Sequence, residues 1–345
     1  MDTRVDAVPS AAERALLVAA PQQSLYLEVS NYCNSLCATC PLTFFGNGSP
    51  QNMGFEEFRL VVDQVPDLTR AVLHGIGEPL LNPHLPQMIG YLKARGTHVV
   101  FNSNAILLTP RRQQQLIDAG LDEYRASLDA GTAATYLKVR GVPAYERVLR
   151  NLTSFMETKR RLQAERPHVS LWFTTLRDNI EELPGVLDFA IASGIQEIHV
   201  QRLVYFGEGL AVAEQSLYQR LQAREQELLA DCEALCRRHG LIFSAAGATE
   251  PLLSLSGARV AQQQRPWQRC NRPWTHSYVT SRGDVLPCCF VHFVARDQAP
   301  FTLGNAYAEP LAEIWSGEKY REFRRRFLSD DPPSCCAGCG AKWSV

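Results

Sequence analysis

Cys33, Cys37 and Cys40 fall within eight residues in the segment SNYCNSLCATCP, directly after a candidate strand. Three thiolates in so short a loop can wrap one [4Fe–4S] cube at three corners, leaving the fourth iron open to an outside ligand that a fourth cysteine would have blocked. A zinc knuckle short of one ligand, or a group of buried free thiols, is the competing chemistry.

A second set of thiols lies far along the chain. Cys270 is followed by Gly283 and Cys288, and Cys336 and Cys339 then form C-x2-C. Four thiolates in two pairs suit zinc or a second iron–sulfur cluster, and spacing alone does not decide between them. Cys289 and Cys335 adjoin two of these positions, and either could replace its neighbour. Cys232 and Cys236 stand i, i+4 in an expected helix with no histidine or cysteine at ligand spacing, so they read as packing residues. Trp172, Phe173 and Trp274 read as core first and substrate wall second.

The composition supports metal chemistry. Eleven cysteines are hard to place in disulfides in a reducing compartment, and an odd number leaves one over in any compartment. The opening residues mix acidic and basic side chains around a short apolar stretch, unlike a secretory signal, and no apolar run reaches the ~20 residues of a membrane span. A cytoplasmic protein is expected. A net charge of −1 motivates neither a nucleic-acid nor a membrane partner, and 46% hydrophobic residues are enough for a sizeable core.

Short apolar strands alternating with amphipathic helices must position these residues. Strands are expected at 25–29, 71–73, 98–101, 123–127, 168–173 and 197–201, each followed by a helix pattern or a loop. Leu85, Met88, Ile89 and Leu92 mark one helix face; Thr109-Pro110 opens another helix and Gly194 closes a third. Six β-then-α units force a parallel sheet with right-handed crossovers, either a curved partial barrel or an open doubly wound sheet. In both, ligands bind beyond the carboxyl ends of the strands. A long polar helix is expected from Leu217 to His239, followed by a Gly/Ser/Gln-rich stretch that marks a domain boundary. The expected division is a flexible tail at 1–22, a core at 23–245 and a cysteine-rich domain at 246–345.

The cysteine loop resembles that of the radical S-adenosylmethionine (SAM) superfamily, C-x3-C-x-φ-C after the first strand, with Thr39 at the usually aromatic or apolar φ position. The resemblance implies an α/β fold, a partial (β/α)6 TIM-like barrel. It also implies a cluster on Cys33, Cys37 and Cys40 whose open iron is chelated by SAM, reductive cleavage to methionine and a 5′-deoxyadenosyl radical, and hydrogen abstraction from substrate. Further segments match in order. Gly77, Glu78 and Pro79 resemble the family's GGEP element, with Glu78 accepting from the SAM ammonium. Asn102 and Asn104 resemble its T-N-G segment, Ser127 and Asp129 resemble the S-L-D segment that meets the ribose, and Arg140 is placed to reach the SAM carboxylate.

The C-terminal residues resemble a SPASM/twitch domain through Gly-x4-Cys, PCC, LGN and EIW. That likeness implies one auxiliary [4Fe–4S] cluster on Cys270, Cys288, Cys336 and Cys339, the chain ending at Val345 before the further cysteines of a full SPASM domain. Cys336 is favoured over Cys335, and Cys289 is a candidate hydrogen-atom donor. The expected partners are a small carbohydrate-like metabolite, dehydrogenated or epimerised, and reduced flavodoxin or ferredoxin as electron donor. A peptide-maturation or tetrapyrrole-type enzyme is the alternative, and a zinc-binding scaffold without catalysis the other.

Overall fold

The computed structural model describes residues 23–245, 250–257, 267, 270–337 and 339; the expected tail and most of the expected boundary stretch lie outside these. Within them the chain forms strands β1 (Ser24–Leu27), β2 (Arg70–Val72), β3 (His98–Ser103), β4 (Glu123–Ser127), β5 (His168–Thr175), β6 (Glu197–Arg202) and β7 (Ile242–Ala245), followed by β8 (His276–Val279), β9 (Asp284–Leu286) and β10 (Gly304–Asn305). The longer helices are α1 (Phe55–Val62), α2 (Leu85–Ala94), α3 (Pro110–Asp118), α4 (Ala133–Arg140), α5 (Tyr145–Arg161), α6 (Leu183–Ser193), α7 (Ala223–His239) and α8 (Glu318–Phe327).

All ten strands share one sheet, in the order β10-β9-β8-β1-β2-β3-β4-β5-β6-β7. The run from β1 to β7 is sequential and parallel. A doubly wound sheet reverses its strand order at a switch point; this one does not, which selects the barrel-like alternative with its ends left open. Right-handed crossovers that always step the same way put every helix on the same face.

The strands show that division residue by residue. Tyr124 and Ala126, Leu171 and Phe173, and Ile198 and Val200 are fully buried, and Tyr124 meets Phe155 of α5 at 5.3 Å between ring centroids. Their alternates on the other face are Arg125 and Ser127, Trp172 and Thr174, and His199 and Gln201. Only such alternating strands, apolar toward the helices and polar inward, leave a surface on which a ligand can be held.

The local chemistry explains most of the boundaries. Thr109 accepts from the Arg112 nitrogen with Pro110 at the first helical position of α3, and Gly194 ends α6 at φ +81°. The helix expected from Leu217 begins instead at Ala223, because Gln222 and Glu225 form a reciprocal capping box there. Leu217 and Tyr218 are buried ahead of it, and Cys232 and Cys236 are buried within it.

The C-terminal residues are not a separate layer. β8 lies parallel against the free side of β1, Tyr26 standing opposite Val72 on one flank and Tyr278 on the other. The fully buried Glu28 accepts from the Tyr278 hydroxyl at 2.7 Å and from the Ser281 nitrogen and hydroxyl at 3.3 Å. The sheet therefore runs on past the expected boundary near residue 246.

Candidate active site

A cavity of about 360 Å³ opens at the carboxyl ends of the strands, with Cys33, Cys37, Cys40 and Thr39 in its wall. The cysteine loop is held by backbone from two directions. Its Leu36 and Ala38 nitrogens donate to the Arg140 and Val139 carbonyls at the end of α4, at 3.1 and 2.8 Å. From β3, the Asn104 amide donates to Asn34 Oδ1 (2.8 Å) and Ser35 Oγ (3.1 Å) and lies 3.6 Å from Cys33 Sγ. Two glycines permit the approach: a Cβ on Gly77 would collide with the Ser30 carbonyl, and Gly141, at φ +71°, would meet the Leu36 carbonyl.

Charge is placed with the same economy. Arg140 donates to Cys37 Sγ at 3.7 Å and pairs with Asp129 at 2.7 Å; Asp129 also accepts from the Thr174 nitrogen at 2.7 Å. Burial pushes the Cys33 and Cys40 thiols up to about 12. It raises Cys37 as well, against the pull of Arg140. Thiols this reluctant to ionise must shed protons when they take iron, so loading is favoured by rising pH.

Glu78, Asp129 and Arg140, three residues expected at SAM, also have partners within the protein. Glu78, expected to receive the SAM ammonium, is 2% exposed and accepts from the Leu80 nitrogen (3.1 Å), Ser103 Oγ (2.8 Å) and the Asn104 nitrogen (2.7 Å). With three of its roughly four lone-pair sites used internally, it ties the loop after β2 to the end of β3. Asp129 and Arg140, expected at the ribose and the SAM carboxylate, are each other's partners. Pro79 starts a buried 3₁₀ turn and is absent from the cavity wall. Ser127 and Asn102 do line it.

The residues present fit a cluster with a polar ligand on it. Asn102 Oδ1 and Arg140 Nε are buried with no hydrogen-bond partner, two polar atoms of cavity-lining side chains left for an incoming group. Among the described residues no three His, Cys, Asp or Glu side chains converge as a single metal ion would require.

The C-terminal thiols divide. Cys270, Cys288, Cys335, Cys336 and Cys339 line a small nest against Trp267, Phe323 and Phe327. Cys335 and Cys336 both belong to it, their sulfurs 3.9 Å apart. Cys289 instead faces the large cavity. Arg272 borders both spaces, alone among the described residues. The sequence reading missed the cavity's inner lining of Tyr26, His74, Arg125 and Arg272; the alternation of β4 carried the signal for Arg125 alone. Trp172, read as core first, lies in the cavity wall with Arg125 stacked 4.6 Å from its ring, whereas Phe173 is core.

Comparison with known proteins agrees with this arrangement. Residues 27–190 match the radical SAM superfamily, and residues 270–340 match the SPASM iron–sulfur cluster-binding domain. The AdoMet-dependent heme synthase of Methanosarcina barkeri is 25% identical over 91% of this chain and 86% of its own length. The PqqA peptide cyclase of Streptomyces rochei is 26% identical over 92% and 82%. Streptococcus suis SuiB, solved with its precursor peptide SuiA, superposes with a TM-score of 0.72 at 19% identity, over 97% of this chain and 73% of SuiB. A [4Fe–4S] cluster with SAM, and iron–sulfur binding in the SPASM region, follow from the two domains. The chain belongs to the radical SAM superfamily, in the group that carries a SPASM domain behind the radical SAM domain.

Proposed function

We propose that this radical SAM enzyme modifies a peptide. The comparisons turn the reading away from the carbohydrate-like metabolite expected earlier and toward the alternative, peptide or cofactor maturation. The size of the cavity supports the choice within that alternative. At about 360 Å³ it lies near the lower end of what one drug-sized ligand occupies, and SAM must share it. The remaining room suits a side chain presented by an extended peptide better than a flat macrocycle.

In this reading Cys33, Cys37 and Cys40 hold the catalytic cluster, and Cys270, Cys288, Cys339 and one of Cys335 and Cys336 hold a single auxiliary cluster. When bound, the catalytic cluster supplies one-electron reductive cleavage of SAM, whose adenosyl product removes a hydrogen atom from the substrate. Arg140 balances the Cys37 thiolate, and Asp129 fixes the guanidinium in place. Glu78 and Asn104 hold the cysteine loop at its distance from β3. The Asn102 carbonyl accepts from a SAM donor, and Ser127 reaches the ribose. Tyr26, Trp172, Phe290 and Phe293 wall the reacting carbon from water. In this reading the Cys289 thiol, in the cavity wall, gives a hydrogen atom to the substrate-carbon radical, and the thiyl radical left on its sulfur is restored by an electron from the external reductant and a proton from solvent.

The test uses anaerobically reconstituted enzyme, reductant and SAM with a perdeuterated peptide pool or a deuterated tetrapyrrole carboxylic acid. Deuterium in 5′-deoxyadenosine from the peptides is the expected result; transfer from the tetrapyrrole alone would overturn the peptide reading. With Cys289→Ala, the peptide-dependent 5′-deoxyadenosine should persist while solvent deuterium no longer enters the product.

A further inference from the structure

The cations around the cavity are not equivalent. Arg140 is paired with Asp129, and Arg125 donates twice to Glu123, at 3.0 and 2.6 Å. Arg272 has no carboxylate within ion-pair distance among the described residues. Its guanidinium carbon lies 4.4 Å from the centroid of the Phe290 ring. A ring against the face of a guanidinium leaves the five edge N–H donors unused, and their fixed fork matches a carboxylate in two parallel hydrogen bonds. Lysine in its place would offer a point charge without that geometry.

The surroundings point to an anion of the substrate. A guanidinium stays protonated in proteins, so this side chain is a fixed cation in the wall. Cys270 and Cys288 lie on the nest side of Arg272, whereas Cys289, Phe290 and Phe293 line the large cavity with it. Glu78 and Asp129, the carboxylates of the cavity wall, are already committed. Among the described residues no carboxylate of the cavity wall therefore pairs with this fork.

We propose that Arg272 is the anion subsite of the cavity, receiving an acidic side chain of the peptide at the wall shared with the C-terminal cysteine nest. The assignment rests on the peptide reading above. It makes Arg272 a specificity-determining residue: the carboxylate it holds sets which neighbouring carbon of the peptide faces SAM.

The experiment is anaerobic calorimetric titration of the SAM-loaded holoenzyme with acetyl-Ala-Glu-Ala-amide and its neutral isostere acetyl-Ala-Gln-Ala-amide. The acidic peptide should bind at least about tenfold more tightly, as expected for a charge-assisted pair of roughly 1.5–3 kcal/mol. Arg272→Met should abolish the preference and Arg272→Lys should retain part of it, with SAM affinity unchanged in both. Equal affinity of the two peptides for the native enzyme overturns the proposal, as does a preference that survives in Arg272→Met. A shifted auxiliary-cluster midpoint potential with an unchanged peptide preference also overturns it, assigning Arg272 to the cluster instead. Binding of a tetrapyrrole tetracarboxylate but of neither peptide, lost in Arg272→Met, retains the carboxylate subsite while the peptide reading falls. Failure of all three probes to bind native enzyme rejects the subsite.

Discussion

Asp129 looks in the sequence like a ligand for ribose and in the structure like a counter-ion. It is 2% exposed, and its two oxygens are taken by Arg140 and by the Thr174 nitrogen. Removing one member of a buried pair costs about 3–5 kcal/mol because the other charge is stranded. Asp129→Asn keeps the shape and one acceptor but not the charge, so a loss near the lower end of that range is expected in urea unfolding, with iron content falling as Cys37 loses its positioned cation. A merely ribose-binding aspartate would lower SAM affinity and leave both quantities alone. Gly77 is a steric counterpart. A methyl group there meets the Ser30 carbonyl and stands 2.8 Å from the Tyr32 nitrogen, both of them backbone. Overpacking of this kind costs about 1–3 kcal/mol. Gly77→Ala should therefore reduce cluster loading as well as stability, read as iron per chain and unfolding midpoint. An unchanged midpoint would mean that the loop before Cys33 yields freely.

At the scale of elements, the junction of three neighbouring strands brings two histidines against one tyrosine. Tyr26 of β1 lies 4.9 Å from the His276 ring of β8 and 6.0 Å from His74, just after β2. Burial lowers both histidines to about 3, with Arg272 and Arg70 adding to it at His276 and Arg125 and Arg70 at His74. Their folded values lie below the unfolded value near 6.5, so the unfolded chain binds the extra protons. Stability from each is whole above about pH 6.5 and is lost as the pH falls toward 3, by up to about 1.4 kcal/mol per pH unit. The buried carboxyl groups Glu28, Glu78 and Asp129 are raised and act in the opposite sense, gaining on acidification. The difference between native protein and His276→Gln isolates the histidine: between pH 7.5 and 5.5 the variant's unfolding free energy should fall less, and parallel slopes would refute the assignment. None of this junction was legible in the sequence, because β8 and β1 lie some 250 residues apart and β8, β9 and β10 are two to four residues long. Helix caps at Thr109 and Gly194, and the six core strands, were legible because they depend on neighbours within a few positions. The roles of Glu78 and Asn104 were not, since their partners lie on other loops.

For the whole molecule, the sheet decides how the two cysteine centres are related. β1 is interior only because β8 covers its outer side, and the fully buried Glu28 takes its shortest hydrogen bond from Tyr278 of that strand and two more from Ser281 just after it. Without them β1 is an edge with unpaired backbone groups, and an acid is left in a core that cannot solvate it. The radical SAM and SPASM regions should then unfold as one unit. Far-ultraviolet circular dichroism follows the helices, most of them before residue 246, whereas Trp267, Trp274 and Trp315 bias fluorescence toward the C-terminal region. Coincident urea midpoints by the two probes are expected, and a chain stopped at residue 257 should fail to refold as a soluble monomer. Separated midpoints, or a well-folded truncated core, would show that β8 merely docks on a finished barrel. The coupling also has a consequence for chemistry. Arg272 precedes β8 and Cys289 follows β9, so the pair of strands that extends the sheet beyond β1 carries the cavity wall nearest the auxiliary nest. Tyr278→Phe tests that link with little change in volume: it strips Glu28 of its 2.7 Å donor and should weaken the seam by roughly 1.5–3 kcal/mol. If the seam positions the wall, binding of acetyl-Ala-Glu-Ala-amide should weaken in the same variant while SAM affinity holds.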